Sequence, residues 1–497
     1  MSNSTPLPSV KTKAIPGPAP NGLGRGLFAY VDIRTCDDIL HIHDPFVAVL
    51  KTERLGDTCS GCFGKRHIDS YSGNGVVLKA CTGCHVVKYC DRTCQSKDWK
   101  LVHSRECAIF MNLKPKVLPI NARALLRMVL RTGAKKNAYT QEELGLFQTL
   151  ETHIDDILEK NAPQAERIAL TSRAVKEYSK TDMEDDMIVA YHAKLDLNSF
   201  NLTIDDDIGI YLHPYAALIN HSCDYNAVVG FDGSEFFVKA IRPIAKGEQI
   251  FISYVDTTYP TRTRQKELRE RYFFTCKCAK CSCGEDPEPT GEAGAAAKEA
   301  YAFLEESRSS SSFIDEQKLV TVTKSLLSHN LPKTKQPFVS ILDEKIASDI
   351  FTGKFDQAFF NSALRVSRID PHVYLYKAHP LRASHALTLA KLAFYSYQSS
   401  CQLSDSEKNR LGVEGPQKAS QLNFGLLAWA LLGDLVAKEE EYCTVPGFKE
   451  RVRNVFAEVE KWLMSEGRDP RRMGKEIKRE RRKLELLVDM LHMLPVR

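Results

Sequence analysis

The densest chemistry in this chain sits in Asn220-His221-Ser222-Cys223 and, well downstream, in Cys276-x-Cys278-x-x-Cys281. The first group joins an amide and an imidazole to a thiol, and the second supplies three thiols at metal-ligand spacing. Four soft sulfur ligands from two distant segments, Cys223, Cys276, Cys278 and Cys281, suit one closed tetrahedral zinc. Such an ion would fasten a flap bearing the aromatics Tyr272 and Phe274 over the turn at Asn220.

A second cluster repeats the theme. Cys59-x-x-Cys62, Cys81-x-x-Cys84, Cys90-x-x-x-Cys94 and His103-x-x-x-Cys107 supply eight ligands in four pairs, enough for two tetrahedral zincs. The last two pairs have i, i+4 spacing, which sets both ligands on one face of a helical turn. A segment this short cannot build a sizeable core, so the metals must supply folding energy. Of 15 cysteines only Cys36, Cys283, Cys401 and Cys443 fall outside these spacings. That pattern is metal binding rather than disulfide bonding, and it points to an intracellular zinc protein. Eight basic and four acidic residues lie between Cys59 and Cys107. Seven thiolates and two Zn²⁺ bring that balance close to neutral, which speaks against a nucleic-acid reader. Trp99 then reads as a packing anchor or peptide contact.

These sites need elements to hold them. Short strands are expected over residues 21–50, with Gly22, Gly24 and Gly26 in a turn and apolar runs at Leu27–Tyr30 and Phe46–Leu50. The spacing of Leu125, Leu126, Val129 and Leu130 predicts helices across roughly Asn121–Lys194. Strand alternation returns over Leu195–Tyr254, with turns at Gly230-Phe231-Asp232-Gly233 and Pro243–Gly247. A Pro, Gly, Glu and Ala-rich linker is expected over residues 284–297, followed by a helical region over residues 298–497. There His379-Pro380-Leu381-Arg382 opens a helix with Ala386, Ala390 and Phe394 on one face. The basic stretch Arg468–Lys483 reads as part of a solvated amphipathic helix. The proline-bearing residues 1–20 contain no apolar h-region and read as a disordered lead-in.

Across 497 residues the chain is 43% hydrophobic and 26% charged with a net charge of +5. This is ordinary globular composition, divided among several domains by length, and neither a polyanion binder nor a membrane protein. The run around Leu426–Val436 is short and contains Asp434, so it reads as a buried helix.

The Asn220–Cys223 core and the downstream flap resemble the SET-domain lysine methyltransferases, and the eight-ligand segment resembles the MYND zinc finger. The order of SET N-terminal part (21–58), MYND finger (59–107), helical insert (108–194), SET core (195–256), cysteine flap (257–283) and helical tail is similar to that of the SMYD family. The resemblance implies an α+β protein: a SET-type β fold split by the finger and the helical insert, a zinc-bound post-SET flap, and a TPR-like α-helical C-terminal domain. It implies a cross-braced finger, with Cys59, Cys62, Cys90 and Cys94 on one zinc and Cys81, Cys84, His103 and Cys107 on the other. Three structural Zn²⁺ are therefore expected, with S-adenosylmethionine as cofactor and a protein bearing a target lysine as substrate. Proline-containing peptides are the expected partners of the finger. Nucleic acid is at most a secondary partner, and a monomer in the nucleus and/or cytoplasm is expected.

Methyl transfer from a sulfonium to an amine needs polar groups for the cofactor, an aromatic channel that tolerates a methylammonium, and a hydroxyl to orient the amine. Gly24-Arg25-Gly26 sets a backbone turn beside a cation. Asn220 and His221 offer an amide and an imidazole, and Tyr254 offers the hydroxyl of the catalytic role. The resemblance adds Glu151, His153 and Asn198 beside the cofactor, with Tyr254, Tyr272 and Phe274, and makes Phe200, Tyr254 and Tyr272 walls of the lysine channel. Two positions depart from the family pattern. Tyr225 stands where the family carries proline, which predicts a looser turn, and Leu23 stands where many relatives carry a basic residue. A non-catalytic scaffold, recruiting partners through the finger and the tail, is the competing reading.

Overall fold

A computed structural model describes residues 10–20, 22–65, 77–134, 136, 139–204, 206–284, 289–309, 315–402 and 422–493. Its contacts divide the chain into two units. The first comprises the chain to Val255 with Gln265–Ala279 and Val445–Gly447. The second comprises Asp256–Arg264, Lys280–Thr444 and the chain from Phe448.

Small sheets and a set of helices build the first unit. Strands Val10–Thr12, Asp38–Ile42, Glu235–Ala240 and Ala227–Asp232 form a four-stranded antiparallel sheet in that order. Val47–Leu50, Asp207–Leu212 and Phe200–Thr203 form a three-stranded one. The last two strands of the larger sheet are a hairpin turning at Gly233 (φ 61°), where a Cβ would lie 2.5 Å from the Cys62 carbonyl oxygen. Only glycine combines that backbone with that approach. A short parallel pair aligns Asn220 with Phe251 and His221 with Ile252, and this brings the Asn-His motif beside the strand leading to Tyr254. Leu27, Leu40, Phe46, Leu125, Tyr211 and Phe236 are completely buried in the core beneath.

Helices Ile120–Thr132, Gln141–Gln148, Ile154–Lys160, Ala162–Ser179 and Asp185–Asn198 fill the expected helical span. Thr140 and Glu143 form a reciprocal capping box on the second of these. Arg123, Arg127 and Arg131, spaced one turn apart, lie buried on one face of Ile120–Thr132. Arg123 donates to the Leu50 carbonyl at 2.8 Å and Arg131 to that of Phe46 at 2.6 Å, so two strand ends are satisfied by guanidinium groups.

Two expectations change. The lead-in expected to be disordered over residues 1–20 pairs as strand from Val10, and residues 1–9 lie outside the described set. Ala14–Pro18 pairs only with Arg25–Ala29, and a sheet edge is where strand prolines such as Pro16 and Pro18 are tolerated. Of the linker expected over 284–297, residues 285–288 lie outside the described set. Residues from Gly291 already belong to helix Gly291–Ser309, because the Ala- and Glu-rich stretch is made of strong helix formers. The flap, read from its cysteines with no secondary structure assigned, contains helix Thr261–Tyr272 and a short turn of helix, Ala279–Ser282.

Helices dominate the second unit, from Gly291–Ser309 to Gly474–Met493, around a core that includes Leu319, Leu326, Ile341, Phe359, Ala390 and Leu463. Helix Pro380–Gln402 begins where His379-Pro380 predicts, and Phe424–Ala437 is the buried helix expected around Leu426. Among the described residues no helix is long and apolar enough to cross a membrane. In the basic stretch, Glu480 is only 2% exposed and accepts from the Asn423 backbone at 2.9 Å, while Arg481 reaches Asp434 at 2.6 Å. Its helix is therefore tied into the unit by polar contacts, and is less solvated than expected.

Candidate active site and metal-ligand clusters

The Asn220–Cys223 turn is built from backbone pairing and buried amides. Asn220 Nδ2 donates to the Arg25 carbonyl at 2.9 Å and reaches that of Leu23 at 3.5 Å, which ties the motif to the Gly24–Gly26 turn. Gly24 has φ 67°, a conformation that favours glycine. A Cβ on Gly26 would lie 2.4 Å from Gln249 Nε2 and 3.0 Å from Asn220 Nδ2, so the glycine keeps open a cradle between two side-chain amides. Gln249 is 7% exposed and its Nε2 has no acceptor among the described residues. A buried donor of this kind has a desolvation cost that a polar ligand can relieve. Sequence reasoning missed Gln249, which carries no signal beyond its place in Glu248-Gln249-Ile250.

The turn predicted to loosen at Tyr225 is held by its neighbour. Asn226 is fully buried; its Nδ2 donates to Gln249 O and its Oδ1 accepts from Phe251 N, both at 2.8 Å. An amide clamp on the adjacent strand thus does what a proline ring would do through φ.

Tyr254 lies in an aromatic group. Its ring centroid is 4.9 Å from that of Tyr272, 5.3 Å from His221 and 6.4 Å, edge-on, from Phe274. The phenol donates to the Ile219 carbonyl at 2.5 Å. Burial, with the Tyr272 phenol beside it, pushes its pKa well above the ordinary tyrosine value. Burial likewise raises that of Tyr272. Both hydroxyls therefore stay protonated and polar at neutral pH. Phe273, between the two flap aromatics, has φ 60°, and its ring stacks on His153 at 5.1 Å.

His221, expected to offer its imidazole to the cofactor, is 5% exposed. Nδ1 accepts from the Tyr254 backbone N–H at 2.9 Å, and Nε2 lies 3.3 Å from Cys223 Sγ. The ring thus links a cysteine of the flap cluster to the backbone of Tyr254.

The remaining candidates divide. Asn198 Nδ2 donates to the carbonyls of Lys194 at 2.9 Å and Glu151 at 3.2 Å, which joins two of them through backbone. His153 (φ 46°) caps its helix and pairs with Asp156 at 3.0 Å. Arg25 reaches Thr149 at 3.4 Å on the surface. Phe200 packs edge-on against Phe236 at 5.0 Å and borders the core; no contact joins it to the Tyr254 group among those seen.

Three groups of four ligand atoms converge, each with all atoms within 4.8 Å of one another: Cys59, Cys62, Cys90, Cys94; Cys81, Cys84, His103, Cys107; and Cys223, Cys276, Cys278, Cys281. A tetrahedral zinc with bonds of about 2.3 Å sets its sulfurs about 3.8 Å apart. Cys62–Cys90 at 3.4 Å, Cys81–Cys107 at 3.7 Å and Cys90–Cys94 at 4.0 Å fit that edge and are far too long for disulfides. His103 Nδ1 lies 3.4 Å from Glu106 Oε2, the carboxylate partner that orients a ligating imidazole. At the flap, Gln265 brackets Cys276, donating to its carbonyl at 2.7 Å and accepting from its N–H at 3.0 Å. Arg264 puts a guanidinium nitrogen 3.6 Å from Cys281 Sγ.

Comparison with known proteins agrees with this geometry. A family model described as SET domain matches residues 24–255. Mouse "Histone-lysine N-methyltransferase SMYD3" is 26% identical over 385 residues, covering 75% of this chain and 86% of that protein. Chicken "N-lysine methyltransferase SMYD2" is 30% identical over 56% of this chain and 63% of its own length. Arabidopsis thaliana "Histone-lysine N-methyltransferase ASHR1" is 31% identical over 52% of this chain and 53% of its own.

Proposed function

The chain belongs to the SMYD family of SET-domain proteins, and from that premise we propose that it is an S-adenosylmethionine-dependent protein-lysine N-methyltransferase. The observation that carries the proposal is the Tyr254, Tyr272, Phe274 and His221 group beside the Asn220–Gly26 cradle. The cradle's open glycine and the orphaned Gln249 donor fit a ligand with a polar end, and the rings fit a sulfonium and an alkylammonium.

S-adenosylmethionine, when bound, supplies an electrophilic methyl group. Gly24, Arg25, Gly26, Asn220, Gln249, Tyr272 and Phe274 would hold it, with Glu151, His153 and Asn198 at its border. Tyr254 cannot serve as a base at neutral pH, because burial keeps its phenol protonated. Its proton is given to Ile219 O, so the oxygen's lone pairs remain to accept an N–H from the incoming amine. That contact would orient the nitrogen lone pair for the transfer. The apolar ring walls also favour the neutral amine that the reaction needs. Phe200 and Tyr272 would line the lysine's path. His221 holds the Tyr254 backbone in place.

The three cysteine-rich groups are read as three structural zincs, two of them in a cross-braced MYND-type finger, since each set has four ligands and leaves no open position. The finger would take proline-containing peptides, and the helical tail would be a TPR-like domain. Nucleus and cytoplasm are both open to such an enzyme. The test is Tyr254→Phe in the zinc-replete protein. Turnover on lysine-bearing substrate should fall about a hundredfold with S-adenosylmethionine affinity nearly unchanged by calorimetry. Equal activity removes Tyr254 from its role, and absence of cofactor binding in the wild type removes the enzyme reading altogether.

A further inference from the structure

Outside the three cysteine groups, His41, His43 and Glu235 bring two imidazoles and a carboxylate together with all ligand atoms within 4.8 Å. We propose that these three side chains form a fourth metal site, one that takes a divalent transition ion of the zinc type through two nitrogens and one oxygen.

The sheet itself builds the cluster. His41 lies in strand Asp38–Ile42 and His43 follows directly past its end, with the two ring centroids 4.0 Å apart. Phe237 stands opposite His41 in the register, and Glu235, two residues before it, projects from the same face as Phe237. Glu235 Oε2 is 2.9 Å from His41 Nε2 and 3.7 Å from His43 Nδ1. Ligands about 2.0–2.1 Å from a tetrahedral zinc lie about 3.3 Å apart, so small side-chain rotations close the set. Phe237 stacks on the His41 ring at 4.1 Å and 18°, which fixes its orientation in advance.

Charge and access favour the ion. Lys65 pairs with the other oxygen of Glu235 and lies 3.6 Å from Asp232 Oδ2. Two carboxylates against one ammonium leave a net charge of about −1 for a cation to neutralise. The Lys65 contact also orients the carboxylate, as outer-shell partners of metal ligands do. His43 keeps 38% of its side chain exposed, which leaves a route in and a position for water. On binding, a neutral His41 gives its Nε2 lone pair to the ion and carries its one proton on Nδ1, so the ion replaces the direct His41–Glu235 contact without a change in proton count. Because Lys65 follows Cys62 and the Gly233 turn abuts Cys62, the ion would stiffen the meeting of the first cysteine group with the sheet.

The 497-residue protein, with its three cysteine groups loaded with zinc, is dialysed into chelator-free buffer and titrated with Zn²⁺ by calorimetry, with bound metal counted by atomic spectrometry. One further equivalent is expected in the wild type. It should be lost in His43→Ala, whose half-exposed side chain has no core role, and should return in His43→Cys, which restores a ligand. Titration with Co²⁺ distinguishes the site from the cysteine groups, because a nitrogen and oxygen set adds visible bands without thiolate charge transfer. No further equivalent, an equivalent that persists in His43→Ala, or a thiolate-type cobalt spectrum overturns the proposal. None of these readouts depends on methyltransferase activity.

Discussion

Replacing Arg127 with methionine should be among the most damaging single changes in the first unit. Arg127 donates to both oxygens of Asp98 at 2.9 and 3.2 Å and to Glu106 Oε1 at 2.9 Å. The Asp98 and Glu106 side chains are 4% and 0% exposed. Methionine retains the stem but strands two carboxylates without their cation, which costs about 3–5 kcal/mol. Asp98 precedes His103 and Glu106 sits between His103 and Cys107, the last two ligands of the second cysteine group, with Glu106 facing His103. Unfolding should therefore be followed through zinc release into a chromogenic indicator during urea titration. At a slope near 3 kcal/mol/M, the release midpoint should fall by about 1–2 M. The triple variant Arg127→Met, Asp98→Asn, Glu106→Gln removes the stranded charges while keeping acceptors for Tyr89 and His103, so it should regain at least half of the loss. A single variant costing less than about 1 kcal/mol, or a triple variant no better than the single, would refute the claim that uncompensated charge is the cause.

Gly26→Ala should weaken S-adenosylmethionine binding at least about tenfold, since its Cβ would meet Gln249 Nε2 at 2.4 Å; calorimetry showing wild-type affinity would contradict the cradle. His213 is fully buried and burial lowers its pKa to about 3, so it folds neutral, with Nδ1 accepting from Tyr215 N–H. Above pH 6.5 both states are neutral. Below it the unfolded chain gains a proton that the folded one refuses until about pH 3, so about 2 kcal/mol should be lost by pH 5. His213→Gln should flatten that slope in urea midpoints compared at pH 7 and 5, and an unchanged slope counts against the assignment. Exhaustive chelation should collapse the Cys59–Cys107 segment, seen as lost far-UV signal, and a spectrum insensitive to chelator would contradict metal as its folding energy.

What could be read in advance was the chemistry that imposes spacing. Ligand spacing singled out the cysteine pairs and His103, the resemblance to the MYND finger supplied how they divide, and the three groups of four come together in that division. Apolar periodicity exposed Ile120–Thr132, Pro380–Gln402 and Phe424–Ala437. Helix Thr261–Tyr272 escaped because its one completely buried apolar residue is Leu268, and its remaining positions are mostly charged. Nothing periodic marks it; Gln265 and Arg264 hold it to the flap through polar contacts. The arginine stripe of Ile120–Thr132 was equally silent. Three basic residues a turn apart read as a wet face, until the strand carbonyls and buried carboxylates they serve are known.

The same reasoning explains why the partners of the His221 ring could not be read from the sequence. An imidazole next to a metal-binding thiol has two nitrogens to satisfy, and its sequence neighbours say nothing of which groups will meet them. Folding answers with the Tyr254 N–H on one side and Cys223 on the other. The consequence reaches the chemistry. A ring held at both ends couples the flap cluster to the residue proposed to aim the amine, so disorder in Cys223 would be transmitted to the backbone of Tyr254 through one group. Ile219 O anchors that tyrosine's other end at its hydroxyl, and Ile219 immediately precedes Asn220. Tyr254 is thus gripped at backbone and phenol by residues within one five-residue stretch, Ile219 to Cys223. A side chain so constrained loses little entropy on meeting its substrate, which is the form that orientation takes in a site with few charged groups.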